Sequence, residues 1–281
     1  MEEITLQALL EAGCHFGHKS ERWHPKAGQF IYTEKDGIHI IDLAKTKAGL
    51  DAAAAYVKST VEGGGEVLFV GTKRQAQAIV KLEAEAAGAP YFSERWIGGF
   101  LTNWDQIKKN IEKINRMEEE QKAGAWKKFP KHEQVKMSRY LERIKVYYGG
   151  VLALPQVPAV LCIIDVKKEI AAVREGQRRG VPIIGVVDTN SDPNGIDYVI
   201  PANDDAVGSI SFIVGVLTAA YKEGKDLRAK GQADVKAKEE AKKAKEEKAA
   251  AKMTVQSEEK RLAEEKAAKE EKVEAAKAKK A

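Results

Sequence analysis

"AVLCIIDVKKEIAAVREGQRRGVPIIGVVD", residues 159–188, is the stretch whose reading decides the fold. Its two ends are short, nearly continuous apolar runs rich in branched residues, the pattern of strands buried on both faces. Between them, "KKEIAAVREGQRRG" has helical spacing and closes on Gly180, a residue suited to the left-handed position just past a helix. A strand, a helix and a second strand in this order predict parallel pairing through a right-handed crossover.

The same alternation continues outward in both directions. "GIHII" (37–41), "EVLFVG" (66–71) and "YVIP" (198–201) read as further buried strands. Helical patterns cover 43–62, "KRQAQAIVKLEAEAAG" closed by Gly88, and "AVGSISFIVGVLTAAY" near the end of the core. The expectation is an α/β fold with a doubly wound, mainly parallel sheet of the Rossmann or flavodoxin kind, formed by residues 1–101 and 150–223.

Residues 102–149 break the alternation. Ile107, Ile111, Ile114 and Met117 recur every three or four positions, and Met137, Leu141, Ile144 and Tyr148 repeat the pattern after "KAGAWKKFPKHE". Each row makes one narrow apolar stripe, which two helices bury against each other or against the body. An inserted helical hairpin is predicted. Residues 224–281 are almost wholly Ala, Lys and Glu, with no aromatic residue after Tyr221. Such a segment is too polar to bury a core, and it lacks the sustained apolar heptad of a coiled coil. A charged extension, disordered or a lone helix, is expected.

Charge is unevenly placed. Residues 1–221 hold 28 basic and 28 acidic side chains, so the surplus of +5 lies in the remainder. Within the neutral part, 102–149 carries 12 basic and 7 acidic residues, a basic element on a mildly acidic body. Two cysteines, one in an apolar run, suit a reducing compartment better than a disulfide framework. The first residues lack the layout of a secretory signal, and no run approaches the ~18 apolar residues of a membrane helix. A soluble cytoplasmic protein without a membrane partner is expected.

Candidate sites are few. "GCHFGHKSERWHPK" (13–26) gathers Cys14, His15, His18 and His24, but zinc sites usually pair their ligands across a long spacer, and no second pair exists. "LFVGTKRQ" (68–75) runs from a strand into a helix without the spacing of a nucleotide-cradling P-loop. There Lys73 and Arg74 read as solvent-facing, at a helix start able to attract phosphate. Asp188 and Asp192 in "DTNSDPNG", then Asp204 and Asp205 in "PANDD", fall after the last two strands, at the ligand-binding edge of such sheets. These residue types also make turns and helix caps. With His18 folded over the edge, His18, Asp188, Asp204 and Asp205 form a candidate site for a divalent ion, magnesium or zinc, although no cofactor is required. No catalytic nucleophile stands beside a base.

"AGCHFGHKSERWHPK", "GIHIIDLAKT", "LFVGTKRQAQ", "RWIGGFLTN" and "VVDTNSDPNGIDYVIPANDDA" resemble, in order, the signature segments of the universal S-two family of small-ribosomal-subunit proteins. The resemblance spans about residues 4–223 and is bacterial in type. It implies a structural, non-enzymatic role: binding small-subunit rRNA at the head–body junction, beside neighbouring ribosomal proteins, and helping to dock the mRNA-binding protein S-one. Cys14 departs from the pattern, occupying a place usually filled by a small aliphatic residue, and the tail has no general family counterpart. On this reading His15, His18 and Trp23 shape the edge of the body. The expected RNA-binding groups are Lys19, Arg22, Trp23 and Lys26, then Lys73 and Arg74, Arg95 and Trp96, and Lys108, Lys109 and Lys113 at the hairpin base. Packing competes with base stacking for Trp23 and Trp96, and Lys168, on an outer helix, is expected to stand clear. A nucleotide-dependent enzyme on the same fold, and a scaffold acting through its hairpin, are the alternatives.

Overall fold

The computed structural model describes residues 4–231, so the tail from 232 onward lies outside the described residues. Five parallel strands, β4 (Val67–Val70), β5 (Tyr91–Phe92), β6 (Val160–Ile164), β7 (Ile183–Val187) and β8 (Tyr198–Pro201), lie in the order β5-β4-β6-β7-β8. The sheet is doubly wound. From β4 the chain goes first to one side and then, through β6, to the other, so the strand order reverses between β4 and β6. The carboxyl ends of strands at such a reversal bound the crevice where ligands sit in open α/β sheets.

Side-chain alternation divides the core between the two faces. Phe69, Cys162, Ile184 and Ile200 pack on one side with Leu50 and Val57 of α2 (Leu43–Glu62) and Val80 of α3 (Arg74–Ala87), and with Ile213 and Leu217 of the helix that runs from 207. Leu68, Val70, Leu161 and Ile163 face the other way, toward Val173 of α6 (Ile170–Arg179) and the aromatic group Phe92, Trp96 and Phe100. Burying such a side chain contributes about 1.5–3 kcal/mol, so continuous apolar strands are retained only where both faces are covered.

"GIHII" departs from its expected place. It forms β3 (Ile38–Ile41), which pairs antiparallel with β1 (Phe16–Lys19) and β2 (Ile31–Lys35) in a separate three-stranded sheet. His39 and Ile41 are buried whereas Ile38 and Ile40 are only partly so. The reason lies just before it. Asp36 and Gly37 both have positive φ, 52° and 74°, the turn that folds one strand directly back on another. β1 and β2 escape the sequence reading because "FGHK" and "IYTEK" are short and largely polar, and β5 because it has only two residues.

The insertion is a helical hairpin of α4 (Trp104–Lys122) and α5 (Lys131–Tyr148). Ile107 and Ile111 reach into the core of the body. Ile114 and Leu141 instead form a separate cluster, closed by Trp126 from the linking turn. Glu118 ties the two helices, 2.8 Å from both Lys122 and Lys145. The last helix does not stop at 223, where the composition changes, but is still helical at 231. Gly224 makes this possible, because a Cβ there would lie 2.6 Å from the Lys58 carbonyl oxygen.

Candidate functional site at the strand ends

Gly71 ends β4, and a Cβ there would come within 2.7 Å of Val80 Cγ2, so only glycine lets the chain turn this tightly into α3. The turn places Lys73 over the carboxyl edge of the sheet. Its ammonium lies 3.2 Å from Asp165 Oδ2, 2.7 Å from Asp204 Oδ1 and 2.6 Å from Asp205 Oδ1. Each aspartate follows a strand: Asp165 after β6, Asp188 after β7, Asp204 and Asp205 after β8. Asp165 holds a left-handed backbone (φ 65°), uncommon outside glycine.

The segment 13–26 crosses this edge. His18 Nδ1 is 3.0 Å from Asp188 Oδ2 and its Nε2 is 3.3 Å from Asp205 Oδ2. Thr189 straps the segment down. Its hydroxyl accepts from the His18 backbone N–H at 2.9 Å, and its carbonyl accepts from His24 N–H at 2.7 Å. Gly17 allows the approach, since a Cβ there would stand 2.7 Å from the Thr189 side chain.

The charges are mutually adjusted. Burial and the Asp165 and Asp188 carboxylates push Asp204 up to about 7, against the pull of Lys73. Burial works against the Lys73 charge, yet hydrogen bonds to Asp204 and Asp205 hold the ammonium above its ordinary range. The hydrogen bond to Asp188 raises His18 despite partial burial, so it favours imidazolium. One atom is left over: Asp204 Oδ2 is buried without a hydrogen-bond partner. His18, Asp188 and Asp204 each offer a ligand atom within 4.8 Å of the others, a nitrogen–oxygen set suited to zinc. Asp205, at 48% side-chain exposure, stands at the rim.

Two expectations about lysines change. Lys73 does not face solvent, because three carboxylates brought from two other strand ends, after β6 and β8, capture it. Lys168 does not stand clear, because its ammonium donates to the Thr72 carbonyl at 2.8 Å. The remaining basic groups divide further. Lys19, Arg22, Arg74, Arg95, Lys108 and Lys109 are exposed, and none has a carboxylate partner among the described residues. Lys26 is bound to Asp192 at 3.1 Å, and Lys113 lies over the Tyr140 ring at 5.3 Å. Trp23 is 45% exposed, whereas Trp96 is buried with its ring packed edge-on against Phe92 and Phe100.

The sequence reading missed Glu175. Its carboxylate accepts from Trp96 Nε1 (3.0 Å), from the backbone N–H groups of Gly99 (2.7 Å), Leu101 (3.1 Å) and Thr102 (3.3 Å), and from the Thr102 hydroxyl (3.2 Å). It thereby holds the loop "RWIGGFLTN" that carries Arg95 and leads into the hairpin. No local signal announces this, since Glu175 reads as one more charged residue of α6. Asp165 was equally overlooked, although it ends its strand as Asp188 ends β7.

A doubly wound α/β domain with its switch-point edge filled by its own ion pairs, and a basic helical hairpin set into it, defines the class. The family model described as ribosomal protein S2 matches residues 9–224. The small ribosomal subunit protein uS2 of Coprothermobacter proteolyticus is 46% identical over 228 residues, covering 81% of this chain and 85% of that protein. The chain belongs to the ribosomal protein S2 family, and is therefore a structural protein of the small ribosomal subunit.

Proposed function

We propose that the chain binds small-subunit rRNA at the head–body junction, in the cytoplasm and without enzymatic activity, and that it supports docking of the mRNA-binding protein S-one. One observation carries the RNA-binding part: on a body with no net charge, Lys19, Arg22, Arg74, Arg95, Lys108 and Lys109 stay exposed without acidic partners among the described residues. Unpaired surface cations are the groups that gain most from phosphate, since binding releases condensed counterions. Lys26, Lys113 and Trp23 contribute at the margin; Trp96 acts by holding its loop. Lys73 serves the strand edge, where it orders the segment that presents Lys19 and Arg22. The docking part rests on the family resemblance alone.

The reading includes a divalent ion at His18, Asp188 and Asp204, with Asp205 at the rim. The orphaned Asp204 Oδ2 supports it. An ion there would compete with Lys73 for Asp204 and tie the 13–26 segment to the sheet.

Co-sedimentation with small subunits tests the proposal. The chain is expected to travel with the subunit and to be released by RNase, and turnover of ATP or GTP by the free chain would favour the enzyme alternative. For the ion, added zinc is expected to raise the melting temperature of the wild type but not of Asp188→Asn; an equal rise in both would exclude the site.

A further inference from the structure

A cavity of about 400 Å³ opens at the other end of the parallel strands, away from the acidic edge. Its floor and rim come from Glu66 before β4, Glu85 in the last turn of α3, Tyr91 of β5, Gly150 after the hairpin, and Tyr221 and Lys225 of the final helix. Tyr91 donates its phenol proton to Glu85 Oε1 at 2.5 Å, and Tyr221 donates to Glu66 Oε2 at 2.5 Å. Burial, reinforced by the carboxylate beside each, raises both phenols above their ordinary range, so they remain donors. Each glutamate is therefore held in place through one oxygen; the second oxygen of Glu85 stays available, whereas that of Glu66 already faces a guanidinium. Glu85 Oε2 receives no hydrogen bond among the described residues, and Glu66 Oε1 has Arg228 only at 3.8 Å.

Three further features favour positive charge here. The carboxyl end of α3 lies at the cavity, which Glu85 and the capping Gly88 line, and helix carboxyl ends attract cations. Two tyrosine rings line the walls, and aromatic faces attract ammonium and guanidinium groups. Gly150 closes one wall with bare backbone, where a Cβ would lie 2.3 Å from the Tyr91 carbonyl oxygen. The cavity already contains a cation, loosely held. Lys225 Nζ lies 3.4 Å from the Gly88 carbonyl oxygen and 6.0 Å from the centre of the Tyr221 ring, with neither glutamate as an ion-pair partner.

We propose that this cavity is a binding site for an organic cation, an alkylammonium or guanidinium group on a slender chain, for which Lys225 is the internal stand-in. The volume falls in the range of small-ligand pockets, about 300–1,000 Å³. The group is carried either by a free polyamine or by a basic side chain of a partner protein, and the chemistry of recognition is the same. The site stands independently of RNA binding, because none of the exposed basic groups named above lines it.

The test is calorimetric titration of the full chain at about 0.15 M salt, where diffuse attraction is screened. The probes are spermidine and, separately, a short blocked peptide with one arginine. Saturable binding of at least one is expected; spermidine alone points to a free polyamine, and the peptide to a partner's side chain. Glu85→Gln is expected to weaken binding about tenfold, and Tyr221→Phe several-fold. Lys225→Ala is expected to tighten it several-fold. Asp51→Asn removes the same charge from an exposed position on α2 and is expected to change nothing. Unchanged melting curves for Glu85→Gln, which is exposed, separate lost binding from lost fold. Failure of both probes to bind the wild type overturns the proposal. So does equal weakening by Glu85→Gln and Asp51→Asn, or weaker binding after Lys225→Ala.

Discussion

Glu175 ties down the backbone of a loop whose Trp96, Phe100 and Leu101 are already buried in the core. One carboxylate takes five donors from Trp96, Gly99, Leu101 and Thr102, and hydrogen bonds to a charged acceptor are individually worth about 1.5–3 kcal/mol. Burial opposes its charge, yet these donors together hold the carboxyl below the ordinary glutamate range. A carboxylate whose pKa is depressed by folding stabilises the fold fully above its unfolded value, and this contribution is lost as pH falls through the folded value. Glu175→Gln is therefore expected to lower the melting temperature by several degrees at pH 7, with the gap to the wild type closing below about pH 4.5. A constant gap from pH 7 to pH 3, followed by circular dichroism, would show that the charge is not what matters. Sequence alone hid this residue because its partners lie 73 to 79 positions away. Lys73 departs from its expected solvent-facing place for the same reason: its helix start is legible, but the aspartates that claim it are 92 and more positions further on.

The hairpin is legible almost completely, because helical periodicity is local and its apolar rows repeat every turn. Its energetic division is not. Ile107 and Ile111 belong to the core of the body, whereas Ile114, Trp126 and Leu141 form a small cluster of their own. Leu141→Ala removes a fully packed side chain from that cluster, a change that typically costs about 2–5 kcal/mol. The hairpin tip is expected to open locally while the sheet stays closed. Hydrogen exchange checks this: amides of 114–144 should exchange faster and those of β4 and β6 should not. Uniform acceleration would mean that hairpin and sheet unfold as one. The antiparallel sheet makes the opposite case. Its Asp36–Gly37 turn was written in the sequence, but "GIHII" was assigned by apolar content to the wrong sheet. Branched residues say that a strand is buried, not which neighbour covers it.

On the scale of the whole molecule, the proposed RNA binding asks a chain without net charge in residues 1–221 to grip a polyanion. The parallel sheet was readable from its four longer strands, and the family from motifs spread over the chain. Which basic side chains remain free was not readable, because it depends on pairings such as Lys26 with Asp192 across the 13–26 strap. In the proposed function RNA is bound by the cations left unpaired among the described residues, Lys19 and Arg22 foremost, and not by charge in general. Each phosphate contact contributes about 0.7–0.9 to the slope of log affinity against log salt. The deciding measurement is filter binding to small-subunit rRNA across a salt series, for wild type, Lys19→Ala with Arg22→Ala, and Lys81→Ala on the exposed face of α3. The double variant should bind more weakly, with a slope shallower by about 1.5, while Lys81→Ala follows the wild type. Equal losses from Lys81→Ala and the double variant would contradict the account, since binding would then be diffuse.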